Sequence, residues 1–444
     1  MQRLLASYRA IPRDATVRLA KPTSNLFRAR AKRDAPGLDT SVLTNVIRIN
    51  PQDRTADVAG MCTYEDLVAA TLPYGLTPLV VPQLKTITLG GAVTGLGIES
   101  ASFRNGLPHE SVLEMDILTG AGEVITASPT QHADLYRSFP NSYGTLGYSV
   151  RLRIALEEVK PFVALTHVRF DSLGELVAAM DRIVETGGYD GARVDYLDGV
   201  VFSADESYLC LGTQTDTTGP VSDYTGSGIY YRSIQHPSGT KSDRLTIHDY
   251  LWRWDTDWFW CSRAFGAQHP VARRFWPRRY RRSSFYWKLI GYDQRFNIAD
   301  RIEKRKGRPP RERVVQDVEV PIGRCEDFIE WFLANVPIEP IWLCPLRLRD
   351  REGWPLYPIL PGQTYVNIGF WSSVPVGPES GYTNRMIEAK VSDFEGHKSL
   401  YSDAYYTSEE FDETYGGEAY KTVKKIYDPD SRLLDLYAKA VQRR

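Results

Sequence analysis

Residues 78–100 read PLVVPQLKTITLGGAVTGLGIES, and this stretch decides the fold. Four glycines fall within eight residues, at Gly90, Gly91, Gly95 and Gly97. Glycine lets the backbone approach a ligand closely and exposes its N–H groups, so a loop of this kind is suited to cradling a diphosphate. The stretch is not a G-x-G-x-x-G fingerprint, because Ser100 stands where the third glycine would fall. Alone, it is equally compatible with tight turns that bind nothing.

The pattern around this stretch predicts an α+β domain. Short β-rich runs bounded by turn residues continue to about Leu156, and one helical stretch, Thr63 to Leu72, interrupts them with Thr63 as its cap. After Val159-Lys160-Pro161 a new alternation begins, with a helix expected near Leu173 to Thr186 between strands. We therefore expect a domain boundary near residue 160.

Composition limits the class of protein. The 444 residues carry a net charge of −1 and are 42% hydrophobic, which predicts two or three globular domains without global attraction to nucleic acid. The five cysteines form no C-x-x-C pair and the seven histidines no H-x-x-x-H or H-x-H pair, so we expect no disulfide frame and no metal. No stretch is apolar enough to span a membrane, and the start has no secretory signal, which favours a reduced, cytoplasmic location.

Two further segments give the glycine-rich stretch a context. A polar turn, Lys21 to Arg28, lies upstream, and a small-residue segment, Pro140 to Gly147, lies downstream. These three segments, in this order, resemble the flavin-binding domain of the vanillyl-alcohol oxidase/p-cresol methylhydroxylase (PCMH) superfamily. In that fold the first turn and the glycine-rich segment wrap the FAD diphosphate, and the third segment lies near the adenine and ribose.

The resemblance is closer to one branch of the superfamily. Residues 89–100 and 143–147, together with Val314-Val-Gln-Asp-Val318 and Pro340-Ile-Trp-Leu-Cys-Pro345, are similar to the delta-24 sterol reductase (seladin) branch. This resemblance implies an α+β fold with a PCMH-type FAD-binding domain of two α+β subdomains, followed by an α+β substrate or cap domain. The parts expected are a flavin domain at 1–160, a cap domain at 161–400, and a segment at 401–444 that packs back toward the flavin domain.

The resemblance also assigns cofactor residues. No histidine occurs in Thr23-Ser-Asn-Leu-Phe27, so FAD is expected to be bound without a covalent link. The residues that the resemblance places around FAD are Lys21, Thr23, Ser24, Asn25, Leu26, Phe27, Pro82, Leu84, Thr88, Leu89, Gly90, Gly91, Thr94, Gly95, Gly97, Ile98, Glu99, Ser100, Asn141, Tyr143, Gly144, Thr145 and Gly147.

The segment Leu251 to Ile290 is rich in aromatic and basic residues. It holds six of the ten tryptophans, and eight Arg and one Lys against two Asp. Such a mixture suits a membrane interface, where rings lie at headgroup level and basic groups meet anionic lipid. The alternatives are core or dimer contacts with arginines reaching outward, and single-stranded nucleic acid. Because no nucleic-acid fold is recognisable, we expect a lipid surface as partner and no nucleic acid.

The branch implies an isolated carbon–carbon double bond as substrate. Hydride addition first would leave an unstabilised carbanion, so protonation followed by hydride transfer from flavin N5 is the expected order. Asp317 and Glu319 alternate with Val318 and Val320 in a predicted strand and share one face, where burial would raise a carboxyl pKa. Other candidate donors, each more often structural, are Tyr286, His397 and Tyr405.

Within the branch, residues 44–60 and 61–151, with Ala59-Gly-Met-Cys-Thr-Tyr-Glu-Asp66, look like bacterial flavoenzymes that reduce 10-methylene fatty acyl chains to 10-methyl chains. That group implies NADPH as reductant and phospholipid-bound acyl chains as substrate. It also implies an association with the methyltransferase that makes the methylene precursor, and a peripheral position at the inner face of the cell membrane. Alternatives are a sterol side-chain reductase, an FAD-linked oxidase of an alcohol or lactone, and a flavin-binding lipid-surface protein without turnover.

Overall fold

The computed structural model describes residues 2–21, 27–28, 36–296, 301 and 304–443. The helices of this part are α1 (Gln2–Ala10), α2 (Tyr64–Thr71), α3 (Leu89–Thr94), α4 (Ser102–Asn105), α5 (Ala133–Ser138), α6 (Leu173–Thr186), α7 (Tyr230–Ile234), α8 (Ile247–Trp252), α9 (Pro270–Phe275), α10 (Ser283–Phe296), α11 (Cys325–Asn335), α12 (Tyr382–Asp393), α13 (Ser408–Thr414), α14 (Gly417–Tyr427) and α15 (Leu436–Ala440). Its strands are β1 (Leu19–Ala20), β2 (Leu38–Asp39), β3 (Val46–Asn50), β4 (Thr55–Ala59), β5 (Leu76–Pro78), β6 (Val112–Leu118), β7 (Val124–Ala127), β8 (Tyr148–Glu158), β9 (Phe162–Phe170), β10 (Gly188–Tyr189), β11 (Ala192–Arg193), β12 (Tyr196–Ser203), β13 (Glu206–Thr215), β14 (Thr240–Thr246), β15 (Arg311–Pro321), β16 (Ile341–Leu346), β17 (Tyr365–Pro375) and β18 (His397–Lys398).

The first sheet has the strand order β3-β4-β8-β6-β7, with β5 paired to β8, and each of its pairings is antiparallel. The β6–β7 connection is a tight turn in which Gly122 takes φ +83°. The predicted cap of α2 is confirmed, because the Thr63 side chain accepts a hydrogen bond from the backbone N–H of Asp66. The α+β fold class is confirmed.

The second sheet has the order β14-β9-β13-β12-β16-β17-β15-β18. The predicted helix at 173–186 is confirmed as α6, whose apolar residues Leu176, Met180 and Ile183 are fully buried. They share a core with the α11 residues Phe328 and Phe332, so both helices cover one face of the sheet. The opposite face of β15 and β17 remains available to line a site.

The C-terminal helices return to the first sheet's side of the molecule. Tyr427 of α14 donates a hydrogen bond to Asp134 on α5 (2.9 Å), and the Lys424 ammonium donates to the backbone oxygen of Thr145 (2.8 Å). The chain end therefore packs beside the segment that precedes β8. Within the described ranges, no helix combines the length and the apolar character that a bilayer crossing requires.

Candidate functional site

A cavity of about 1350 Å³ lies where the glycine-rich segment, the second sheet, α10 and the C-terminal helices meet. Ligand sites commonly measure 300–1,000 Å³, so this cavity has room for more than one small molecule. The predicted cofactor residues on its wall are Lys21, Phe27, Pro82, Leu84, Thr88, Gly90, Gly91, Thr94, Gly95, Gly97, Ile98, Glu99, Tyr143 and Gly144. Thr23, Ser24, Asn25 and Leu26 lie outside the described residues.

The glycine-rich segment forms the short helix α3. Thr88 caps it by accepting a hydrogen bond from the Gly91 N–H, and the Thr94 hydroxyl donates to the backbone oxygen of Gly90 (2.7 Å). A Cβ atom on Gly90 would lie 2.3 Å from the Ser149 Oγ atom, which is closer than van der Waals contact permits. Glycine is therefore required here to seat α3 against β8, which brings the next turn onto the cavity wall.

The third predicted segment is held in an unusual backbone conformation beside α3. Asn141 and Tyr143 both have positive φ values, of 61° and 49°, and the Tyr143 N–H donates to the backbone oxygen of Thr94 (2.7 Å). The Tyr143 ring lies in this way against Gly95, where a Cβ would be 3.3 Å from its edge. Glycine at position 95 therefore keeps this wall of the cavity open, because it has no side chain to meet the Tyr143 ring.

Five predicted cofactor residues are not on the wall, and each has a structural role instead. Leu89 packs in the core, and the Ser100 hydroxyl is hydrogen-bonded to the Tyr250 hydroxyl (2.9 Å). The other three shape the turn before β8: Asn141 donates to the backbone oxygen of Leu356, Thr145 donates to that of Ser142, and Gly147 has a φ of +145°. Their assignment to the cofactor stays a prediction.

Of the five candidate proton donors, only Asp317 lines the cavity. Its Oδ1 atom accepts a hydrogen bond from the Asn367 side chain (3.1 Å), and its carboxyl group is also hydrogen-bonded to the Tyr401 hydroxyl. Burial raises the pKa of Asp317 to about 6, although both hydrogen bonds act in the opposite direction. The carboxyl group therefore holds a proton at a pH where an exposed aspartate has lost it.

The other four candidates lie away from the cavity wall. Glu319 shares its strand face with Asp317 but is fully buried, and it accepts a hydrogen bond from Ser399 (2.7 Å) with His397 at 3.3 Å. Burial lowers the pKa of His397 to about 3, so its ring is neutral. Tyr286 donates to the backbone oxygen of Thr256 (3.2 Å), and Tyr405 lies between two arginines, Arg385 and Arg443.

The prediction that the whole of 251–290 forms a membrane-facing surface is wrong for its first part. The large side chains from Trp252 to Trp260 are buried, because this irregular segment folds inward against β12, β16 and β17. Trp258 and Phe259 reach the cavity, where Trp287, Trp342 and Trp371 join them. The alternative of core contacts holds here, and the exposed side chains of the segment lie mainly between residues 269 and 280, whereas residues 281–290 are mostly half-buried or buried.

The aromatic wall also reaches the first predicted turn. The Phe27 ring stacks on Trp258 at 5.6 Å and lies 4.4 Å from Trp287. The Phe27 N–H donates to the backbone oxygen of Tyr401 (2.9 Å), so the first turn and the Asp317 region are physically joined. These tryptophan side chains line the same cavity as the Asp317 carboxyl group and give it an apolar, electron-rich wall.

Another part of the wall is strongly positive. Arg18, Lys21, Arg28 and Lys439 all line the cavity. The pKa of Lys439 lies well below its usual range, first because of burial and then because of the positive charges of Arg28, Arg18, Lys424 and Lys21. Such a concentration of positive charge favours an anionic group such as a diphosphate.

Comparison with known proteins agrees with this geometry. Residues 13–128 match the model of the FAD binding domain. The chain is an FAD-dependent oxidoreductase. It is 26% identical to the Delta(24)-sterol reductase of Rattus norvegicus over 411 residues, which cover 89% of this chain and 76% of that protein. It is 24% identical to the Delta(24)-sterol reductase of Arabidopsis thaliana over 446 residues, covering 92% and 77% respectively. A shorter match, 27% over 180 residues, covers 40% of this chain and 33% of Cytokinin dehydrogenase 3 of Oryza sativa.

The wall of this oxidoreductase fits FAD on two observations. The cavity-lining backbone of Gly95, Leu96 and Gly97 and the cations Arg28 and Lys439 would hold the diphosphate, and the aromatic wall gives a planar ring system an apolar surface. The glycine-rich backbone and Arg28 belong to the matched FAD binding domain, whereas Lys439 comes from the other end of the chain.

Replacing Lys439 by methionine is expected to weaken FAD binding by roughly tenfold or more, because a charged hydrogen-bond donor near a diphosphate is lost. The Lys439 ammonium also donates to the backbone oxygen of Tyr143 (2.6 Å), so the variant loosens the adjoining turn as well. Fluorescence titration of the apoprotein with FAD measures the effect. Lys425→Met, on the exposed part of α14, is the matched control, and an equal loss in both variants would contradict this role.

Sequence reasoning missed several residues of the site. Asn367 and Trp371 come from β17, Tyr401 from the loop after β18, and Lys439 from α15. None of them lies in a glycine-rich or charge-patterned motif. Pairing of β15 with β17 and β18 brings Asn367, Trp371 and Tyr401 to Asp317, whereas Lys439 reaches the cavity beside Tyr143.

Proposed function

We propose that this oxidoreductase reduces an isolated carbon–carbon double bond in an apolar lipid. The observation that carries the proposal is Asp317, a carboxyl group with a raised pKa on an aromatic cavity wall. Burial also raises the pKa of Glu99, on the same wall, well above its usual range, but each of its carboxyl oxygens already accepts a hydrogen bond. Gln83 donates two hydrogen bonds to Glu99 (2.7 and 2.6 Å), and Asp403 lies 3.4 Å from the Arg443 guanidinium.

The chemistry of an isolated alkene explains why such a donor is needed. With no carbonyl group to accept charge, the alkene must gain a proton before or as it gains a hydride. Proton transfer from the Asp317 carboxyl oxygen places positive charge on the more substituted carbon, and the faces of Trp258, Trp287 and Trp371 stabilise that charge. FAD, when bound and reduced, supplies the hydride.

Tyr401 orients the donor. Its hydroxyl is hydrogen-bonded to Asp317 and accepts a hydrogen bond from the Trp371 indole N–H (3.0 Å). Burial raises the pKa of Tyr401 well above its usual range, so the phenol remains neutral. Together with the Asn367 amide it fixes the carboxyl group toward the cavity.

Two lipid classes are candidates for the substrate. The first is a phospholipid with a 10-methylene acyl chain, reduced to a 10-methyl chain with NADPH as donor, and the resemblance of residues 59–66 supports it. Protonation of an exocyclic methylene gives a tertiary cation, which suits the aromatic wall. The second is a sterol with a side-chain double bond, supported by the similarity to Delta(24)-sterol reductases over most of the chain.

An anaerobic experiment tests the proposal. The FAD-loaded protein is bleached with NADPH and then mixed separately with a 10-methylene phospholipid and with a sterol that carries a side-chain double bond. Return of the oxidised flavin spectrum, with a product heavier by two hydrogen atoms, identifies the substrate class. If neither lipid is changed and the flavin is reoxidised only when oxygen is then admitted, the proposal is overturned in favour of an oxidase.

A further inference from the structure

The exposed part of the aromatic-basic segment, together with the last turn of α10 that follows it, forms a surface that we call the α9–α10 surface. It consists of exposed apolar and aromatic side chains with exposed arginines between them. Its members are Val271, Arg274, Phe275, Arg278, Arg279, Tyr280, Tyr292, Arg295 and Phe296. Phe275, at 77%, has the largest exposed fraction among the large hydrophobic side chains of the described chain. A side chain of this size so fully in water indicates a surface that meets a partner.

Aromatic side chains recur along one side of α10. Tyr280 stacks on Phe285 at 4.7 Å, and Phe285, Tyr292 and Phe296 follow at helical spacings of seven and four residues. These spacings place them on one side of the helix. The side chains are therefore arranged as a stripe rather than scattered singly.

The charge of the surface selects its partner. Arg274, Arg278 and Arg279 form no ion pair with any described carboxylate, whereas the neighbouring Arg273 is 2.7 Å from Asp257. A second copy of this surface would be repelled by the same positive charge. Aromatic rings flanked by arginines fit the headgroup layer of a membrane rich in anionic lipid.

The surface lies beside the entrance that a lipid would use. Ser284, Trp287, Lys288 and Gly291 of α10 line the cavity. They recur every three or four residues, so they define a face of α10 that adjoins the aromatic stripe. A bilayer in contact with the stripe would therefore border the cavity wall.

We propose that the α9–α10 surface docks the protein on anionic phospholipid bilayers. The purpose of this docking, which is access to a lipid substrate, rests on the proposed function. The test of docking measures membrane binding and does not depend on catalytic turnover. Phe275 and the neighbouring rings enter the headgroup layer, and Arg274, Arg278 and Arg279 contact lipid phosphates.

Vesicle co-sedimentation of the FAD-loaded protein tests this surface. Binding is expected to vesicles of phosphatidylcholine with phosphatidylglycerol, and to fall when phosphatidylglycerol is omitted or salt is raised. The double variant Arg278→Gln/Arg279→Gln should bind roughly ten- to thirtyfold more weakly, and Phe275→Ser several-fold more weakly. The matched control is Leu360→Ser, which is 61% exposed and lies outside the surface.

Equal weakening by Leu360→Ser, or equal binding to vesicles without anionic lipid, would overturn the docking proposal. Failure of the proposed function is distinguishable from this. A protein that binds anionic vesicles through these residues, yet reduces neither lipid class, retains its docking surface and loses its proposed substrate. Reduction of detergent-dispersed lipid at an unchanged rate by Phe275→Ser would show that only docking is affected.

Discussion

Replacing Asp317 by asparagine is expected to slow lipid reduction by about 10²- to 10⁴-fold, the usual contribution of a positioned proton donor. Asparagine keeps the size of the side chain and can still contact Asn367 and Tyr401, so the cavity should keep its shape. Stopped-flow absorbance measures reoxidation of the reduced flavin by lipid under anaerobic conditions. Reduction of the flavin by NADPH should change little, because that step does not require this proton.

The pH dependence of the same step gives a second test. Since the pKa of Asp317 is raised to about 6, its protonated form predominates below that pH and is lost above it. The reoxidation rate of the unaltered protein should therefore fall as pH rises through about 6, and this limb should disappear in Asp317→Asn.

Glu319→Gln is the matched control for Asp317→Asn. Glu319 lies on the same strand face but away from the cavity wall, and glutamine retains an oxygen for the Ser399 hydrogen bond. Its reoxidation rate and pH limb should resemble those of the unaltered protein. Loss of the limb in this control, or an unchanged rate in Asp317→Asn, would contradict the assignment.

Alternation in the sequence was sufficient to predict which face of its strand Asp317 occupies. A strand of period two places residues 317 and 319 on one face and Val318 on the other, and the structure has this arrangement. Alternation does not show how far along the strand the cavity extends. The sequence therefore could not show that Asp317 lines the cavity and that Glu319 does not. That distinction depends on β18, which covers Glu319 and places His397 beside it.

Composition was a poor guide to the segment that begins at Trp252. The local excess of arginine and tryptophan indicated an interface, but composition does not show whether a side chain points into the core or into solvent. Arg253 is buried with its guanidinium 3.9 Å from the centre of the Tyr250 ring, and its charge is met by Asp198 on β12. An ion pair across 55 residues of sequence has no local signal, so the burial of this arginine could not be predicted.

Replacing Asp198 by alanine is expected to lower the free energy of unfolding by about 3–5 kcal/mol, the effect of removing one partner from a buried ion pair. The Asp198 Oδ2 atom accepts hydrogen bonds from Arg253 (2.9 Å), Trp254 (3.2 Å) and Trp342 (3.1 Å). The side chains of Asp198 and Arg253 are each only 1% exposed. Alanine would leave a buried cation and two indole N–H groups without this acceptor. Urea unfolding of the apoprotein, followed by circular dichroism, measures the loss.

A double variant separates charge from packing at this site, and a surface variant serves as its control. Asp198→Leu combined with Arg253→Met removes both charges and keeps the volume, and it should recover much of the stability lost in Asp198→Ala, because neither charge is then buried alone. Glu413→Ala, at an exposed position, should change the free energy of unfolding by no more than about 0.5 kcal/mol. If the double variant were no more stable than Asp198→Ala, the unpaired Arg253 charge would not be the main cost, and the two indole hydrogen bonds, which both variants lose, would dominate. Asp198 would then act chiefly by holding Trp342 in place on the cavity wall.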